Sequence, residues 1–153
     1  MIEFIHHTIP NQQWESNTGN REYKRILNIG NDAEIQNDIK KNKLKQSDNI
    51  CINYMKELKL TNKINRRASQ LQYRLIEGQG KAIYLIGVED NGNVDGISMT
   101  NLMESINFLC KMIEIVNAKI DKIRIYYGNL ENKYICTARI KLPNYIPEKY
   151  SSI

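Results

Sequence analysis

The sequence predicts an α+β domain, a single unit with a mixed β-sheet and helices packed against it. Three observations lead there. Apolar residues recur at helical spacing over 62–77 and 99–116. They alternate at strand spacing over 119–127 and 133–142. Between the two helical segments lies a glycine-bounded apolar run from Ala82 to Val88. The implied order is strand, helix, strand, helix, strand, strand. At 153 residues, 41% hydrophobic and 25% charged, the chain suits one globular domain that needs neither disulfide nor metal to hold its core. We divide it into an irregular leader over 1–20, the α+β domain over 21–142 with a basic, lysine-rich insertion at about 32–61, and a C-terminal tail over 143–153.

The leader contains Pro10, the sole tryptophan, Trp14, and a polar run from Asn11 to Asn20. His6 and His7 are adjacent, so a strand would send them to opposite faces, a poor geometry for holding one metal. Arg21 to Ile29 reads as the first strand, stopped by Gly30-Asn31-Asp32. Glu22, Lys24 and Ile26 share one of its faces, and Tyr23, Arg25 and Leu27 the other. Asp32 to Leu60 is polar and lysine-rich with one apolar cluster from Ile50 to Met55, compatible with one or two helices or with a partly disordered insertion.

Asn62 to Glu77 is an amphipathic helix. Ile64, Ala68, Leu71 and Leu75 form its apolar stripe, while Lys63, Arg66, Arg67, Gln70 and Arg74 fall on the opposite side. It stops at Gly78 and Gly80, residues free to enter the left-handed region. Ala82 to Val88 is apolar enough to be a strand buried on both faces, and Glu89-Asp90-Asn91-Gly92 is a turn. Ser98 or Thr100 can cap the next helix, Met99 to Val116, whose stripe of Leu102, Ile106, Leu109, Ile113 and Val116 covers the sheet. Lys119 to Tyr127 and Lys133 to Leu142 are the last two strands, joined across 128–132. One face is apolar and the other carries Arg124, Arg139 and Lys141. Pro143 and Pro147 end the regular structure.

Charge narrows the function. The net charge is +5, and it is concentrated: 40–67 holds nine cations against Asp48 and Glu57, leaving the rest of the chain close to neutral. A basic segment on a neutral body points to a polyanion partner, with Lys63, Arg66, Arg67, Gln70 and Arg74 as a phosphate-contacting ridge and Arg124, Arg139 and Lys141 as a second basic surface. The opposing reading is a solvated face in a lysine-rich composition. Three dispersed cysteines, Cys51, Cys110 and Cys136, read as thiols of a reducing compartment. No basic leader with an apolar run and no stretch of membrane-spanning length is present, so a cytoplasmic protein without a membrane partner is expected. With His6 and His7 the only histidines, no Ser-His-Asp or Cys-His arrangement is available for nucleophilic catalysis.

Gly19-Asn20-Arg21-Glu22-Tyr23-Lys24, the helical Leu71 to Leu75, and the string Glu77-Gly-Gln-Gly-Lys-Ala-Ile-Tyr-Leu-Ile-Gly-Val-Glu-Asp-Asn-Gly92 together resemble the N-terminal region of a eukaryotic family of elongation-factor-related GTP-binding proteins. The similarity runs from Gly19 to about Arg139 and implies an accessory domain acting in translation, with RNA or the ribosome as partner. The family's G domain has no counterpart here. There is no Gly-x-x-x-x-Gly-Lys-Ser/Thr loop, and Asn62-Lys63-Ile64-Asn65 lacks the Asp of a guanine-reading motif, so no GTP binding is expected.

A more distant resemblance, carried by Glu22-Tyr23-Lys24 and by Gly87 to Gly92, is to the AlbA-type fold of Schlafen proteins, some of which cleave tRNA and rRNA. That likeness implies acids holding Mg²⁺ or Mn²⁺ at Glu22 and Asp90, with the upstream acid falling on Glu15, seven residues before Glu22. Carboxylates around such a cation can polarise a phosphodiester and activate water. The structural alternatives are that Asp90 caps a turn and that Glu22 makes an ion pair with Lys24 or Arg25 partners across the sheet. The leading expectation is therefore a non-catalytic RNA- or ribosome-binding domain needing no cofactor. The alternatives are a metal-dependent endoribonuclease acting on tRNA or rRNA, and a protein-interaction domain.

Overall fold

The computed structural model describes residues 2–27 and 49–146. Its strands are β1 (Ile2–Thr8), β2 (Arg21–Lys24), β3 (Lys81–Ile86), β4 (Lys119–Tyr127) and β5 (Tyr134–Lys141), and its helices are α1 (Asn49–Glu77) and α2 (Met99–Ile115). The five strands form one sheet in the order β1-β4-β5-β3-β2. An antiparallel centre, β4-β5-β3, is flanked by a parallel strand on each side: β1 along β4 and β2 along β3. The expected mixed-sheet α+β architecture is the one the chain adopts.

Both helices pack on the same face. Ala68, Leu71 and Leu75 of α1 and Leu102, Ile106, Leu109, Met112 and Ile113 of α2 meet Ala82, Tyr84, Ile86, Ile123, Ile125, Ala138 and Ile140 from the sheet. These are the apolar stripes at helical spacing and the alternate strand positions that the sequence marks. Ser98 is the N-cap of α2, its hydroxyl accepting from the Asn101 N–H at 3.2 Å. The left-handed turn that ends α1 falls on Gln79 and Gly80, with φ of 54° and 92°.

β3 is buried on both sides, as its apolar run implies. Tyr84 and Ile86 face the helices, while Leu85 joins Tyr23, Val88, Val94 and Ile135 in a second, smaller apolar cluster on the opposite face. Ile9 of the leader packs on that cluster. The leader is then tied to the turn after β3 by the Gln12 N–H on the Gly92 carbonyl and the Glu15 N–H on the Asp90 carbonyl, both at 2.8 Å. Gly92 has φ +89°, and a Cβ there would collide with the Gln12 carbonyl, so two independent constraints hold this position to glycine.

Three boundaries differ from the expectation. The leader read as irregular begins with strand β1. Ile-Glu-Phe-Ile-His-His-Thr has weak alternation because, of these residues, only Phe4 packs against the main core, and its pairing with β4 comes from the far end of the chain. His6 stacks near Phe4 and Tyr127 while His7 lies against Tyr126, so the two rings do occupy opposite faces. β2 spans four residues, and its continuation to Ile29 lies partly outside the described residues. α1 starts thirteen residues earlier than the stripe suggests, at Asn49; good helix formers such as Lys, Leu, Met and Glu favour the extension. Tyr54 and Leu58 in that extension are exposed. The rest of the lysine-rich insertion, 32–48, lies outside the described residues.

Candidate functional site

The acidic residues singled out by the sequence meet at the β2 edge of the sheet. Glu22 is 7% exposed on the helix-facing side of β2. Its Oε2 accepts from Arg74 Nε at 2.6 Å, and its Oε1 lies 3.2 Å from Lys24 Nζ. Both carboxylate oxygens are thus occupied by cations. The remaining Arg74 donors go to the carbonyls of Ser16 (2.9 Å), Thr18 and Gly19 (3.0 Å each). One guanidinium therefore neutralises a buried carboxylate and fastens the leader to α1, a task suited to its rigid fork of donors.

Glu15 accepts a hydrogen bond from the Tyr23 N–H, occupying the free edge of β2. Burial pushes its carboxyl above the usual carboxylate range; the Tyr23 hydrogen bond opposes this, and the nearby charges of Glu22 and Asp90 add to it. The three acids thus share one electrostatic neighbourhood. Metal coordination is another matter: among the described residues no group of three or more Asp, Glu, His or Cys is placed to hold an ion. With Glu22 paired to two cations and Glu15 bonded to backbone, the donor set does not fit a divalent metal. Asp90 sits in the turn that receives the leader, its carbonyl bound by Glu15.

The helical ridge is only partly solvent-facing. Arg66 is exposed, Lys63, Arg67 and Gln70 are half-buried, and Arg74 is buried at 4% exposure. Arg74 sits on the seam where α1 meets the leader, a position that a helical wheel drawn without the leader assigns to solvent. Arg67 donates to Gln70 Oε1 at 3.4 Å. A groove of about 490 Å³ runs along this seam, lined by Glu15, Glu22, Arg66, Gln70, Tyr73 and Arg74 among others. The Tyr73 hydroxyl has two acceptors within reach of its one proton, the Asn17 carbonyl at 3.0 Å and Glu77 Oε1 at 3.1 Å.

The second basic surface is larger than its three predicted members. Strand register places Lys81, Lys141 and Lys119 in one cross-strand row, and Arg21, Ile83, Arg139 and Lys122 in the next. Arg124 lies opposite Thr137 in a third. All of these point away from the helices, and no described helix covers them. Among the described residues, these seven cations share the face with two carboxylates that pair with them. Glu3 lies 3.0 Å from Lys122 and 3.6 Å from Arg124, and Asp121 lies 3.4 Å from Lys141. Pairing with Lys122 holds the Glu3 carboxyl below its usual range. Among the described residues Arg139, Lys81 and Lys119 have no carboxylate partner. The sequence reading missed Lys81, Lys119, Lys122 and Arg21. For Lys122 the signal was present, because it alternates with Ile123 beside Arg124; the others required the register.

Comparison with known proteins adds a partial relationship. Over 72 residues, 44% of this chain, it is 40% identical to GTP-binding protein 2 of Mus musculus and of Homo sapiens, and the match spans 12% of those proteins' length. Over 59 residues, 38% of the chain, it is 30% identical to uncharacterized protein R625 of Acanthamoeba polyphaga mimivirus, spanning 32% of that protein. No protein-family model and no solved structure matches the chain. A substantial segment is thus related to one region of GTP-binding protein 2. No helix among the described residues is long and apolar enough to cross a membrane.

Proposed function

We propose that the chain is a non-catalytic RNA- or ribosome-binding domain acting in translation in the cytoplasm, without GTP or a metal cofactor. The observation that carries this reading is the charge distribution. Carboxylates near the candidate site are consumed internally, Glu22 by Arg74 and Lys24, while cations on the solvent-facing surfaces outnumber their carboxylate partners. Such surfaces attract phosphate backbones without reading sequence. The partial relationship to GTP-binding protein 2 supports an accessory role beside a nucleotide-driven factor. The AlbA-type likeness belongs to the same reading, on the pairing of Glu22-Tyr23-Lys24 with the strand that leads to Asp90.

Metal-dependent cleavage is the less favoured reading, because a Glu22 freed to bind a cation would leave Arg74 buried and unpaired. Binding of tRNA and co-sedimentation with ribosomes should weaken steeply between low and moderate salt, and Arg66→Glu with Arg67→Glu should weaken both. Salt-insensitive binding, or capture of a protein partner with no RNA bound at moderate salt, would refute the proposal. Discrete Mn²⁺-dependent cuts in tRNA or rRNA that disappear in Asp90→Asn would favour the nuclease.

A further inference from the structure

The leader does more than cross the sheet. Between Pro10–Trp14 and Ser16–Arg21 it frames a cleft of about 570 Å³, lined also by Tyr23. Trp14 stands at this cleft with 76% of its surface exposed, the most exposed large hydrophobic side chain described. Exposure alone marks nothing, since single apolar side chains are common on surfaces; what sets Trp14 apart is its place on a cleft beside Arg21, on a braced segment. Its neighbours are braced: Gln12 and Glu15 are hydrogen-bonded through their backbones to the turn after β3.

Arg21 links this cleft to the basic face. It lines the cleft, donates to Gln12 Oε1 at 3.1 Å, and occupies the same cross-strand row as Arg139 and Lys122. A flat π-surface at the end of a row of cations is the combination that takes up single-stranded nucleic acid: phosphates track the charges, and a splayed base stacks on the ring. Duplex can satisfy only the first half of it, because its bases are already stacked on one another.

Resting on the RNA-binding reading above, we infer that the face of the sheet turned away from α1 and α2 is a single-strand binding surface, with Trp14 as a base-stacking platform and Arg21, Arg139 and Lys122 as the phosphate track. The α1 ridge is then a separate contact for RNA backbone, indifferent to strandedness. Trp14 belongs to no apolar cluster of the fold, so its replacement leaves the fold intact.

Because Trp14 is the only tryptophan, its emission reports directly on the site. An oligouridylate of about twelve nucleotides, within the span such grooves occupy, should quench Trp14 fluorescence, whereas a duplex RNA of the same length should bind without quenching. By anisotropy of labelled RNA, Trp14→Ala should weaken oligouridylate binding about tenfold, the scale of one lost stack. Duplex affinity should stay unchanged, and Trp14→Phe should recover most of the loss. Oligouridylate binding without quenching, unaffected by Trp14→Ala but lost in Arg66→Glu with Arg67→Glu, would overturn this inference and leave the RNA-binding function standing. Binding of neither RNA, with Trp14 quenched by anionic vesicles or by an acidic protein, would overturn both.

Discussion

The two faces of the sheet are built from the same strands on opposite terms. On the helix-facing side the alternate positions are Tyr84, Ala138 and Ile123, and the one buried carboxylate among the described residues, Glu22, is neutralised by Arg74 and Lys24. On the other side the intervening positions are Ile83, Arg139 and Lys122, whose charges are left to water and to Glu3. Where low dielectric makes an unpaired charge expensive, charge is sparse and partnered. Where solvent screens it, charge accumulates in excess of its partners. The difference separates stability from binding: substitutions on the covered side, and in the small apolar cluster of Tyr23, Leu85 and Ile135 on the other, should unfold the domain, and those at the charged positions of the open side should change what it holds.

The largest effect expected is at Arg74. Arg74→Ala leaves the buried Glu22 carboxylate with Lys24 as its one remaining cation among the described residues and releases the leader carbonyls, and should cost about 3–5 kcal/mol in a urea titration. Arg74→Lys should recover little, since a single ammonium cannot reach four acceptors. A loss under about 1 kcal/mol would mean that the buried pair contributes no more than an exposed one.

Leu109→Ala, beneath α2, should cost about 2–5 kcal/mol through the cavity it leaves. Gly92→Ala should cost about 1–3 kcal/mol, from the positive φ and the Gln12 collision together. Because Gly92 receives the leader, that variant should also expose the 10–20 segment to proteolysis. A protected leader would show that the docking tolerates a displaced turn.

Glu15 tests the acid cluster through pH. Its folded-state value is raised above the ordinary 4.5, so the protonated form is the one folding favours. Its contribution is fully present below the unfolded value and is lost as pH rises through the folded one. Glu15→Gln keeps an acceptor for the Tyr23 N–H and removes the repulsion from Glu22 and Asp90. Its stability relative to the parent should therefore increase as pH climbs from below 4.5 toward neutrality, and a gap that shrinks over that range would reverse the sign assigned here. Added Mn²⁺ should leave the melting temperature of either protein unchanged.

The smallest stability effect belongs to the open face. Arg139→Gln should change stability by no more than about 0.5 kcal/mol, while weakening RNA binding.

Periodicity was enough to read the covered side. The stripes Leu71–Leu75 and Leu102–Ile113, the Ser98 cap, and the last two strands all follow from local spacing. Three features depend on long-range geometry and were hidden. Strand β1 exists by pairing with β4, Arg74 is buried because the leader folds over α1, and the cationic rows appear only when β2, β3, β5 and β4 are set in register. Glu22 was singled out for its position beside a tyrosine and a lysine. Its pairing with Lys24 is within local reach, whereas its second cation, Arg74, 52 residues away, is beyond any local pattern.

The division between the faces is tested most directly by the salt dependence of single-stranded RNA binding in the parent and in Arg21→Gln with Arg139→Gln. Each phosphate contact on a single strand contributes about 0.7 to the slope of log affinity against log salt. The double variant should therefore lose about 1.4 from that slope and weaken at low salt, with an unchanged urea midpoint. An identical slope in the two proteins would contradict the assignment of the open face to RNA.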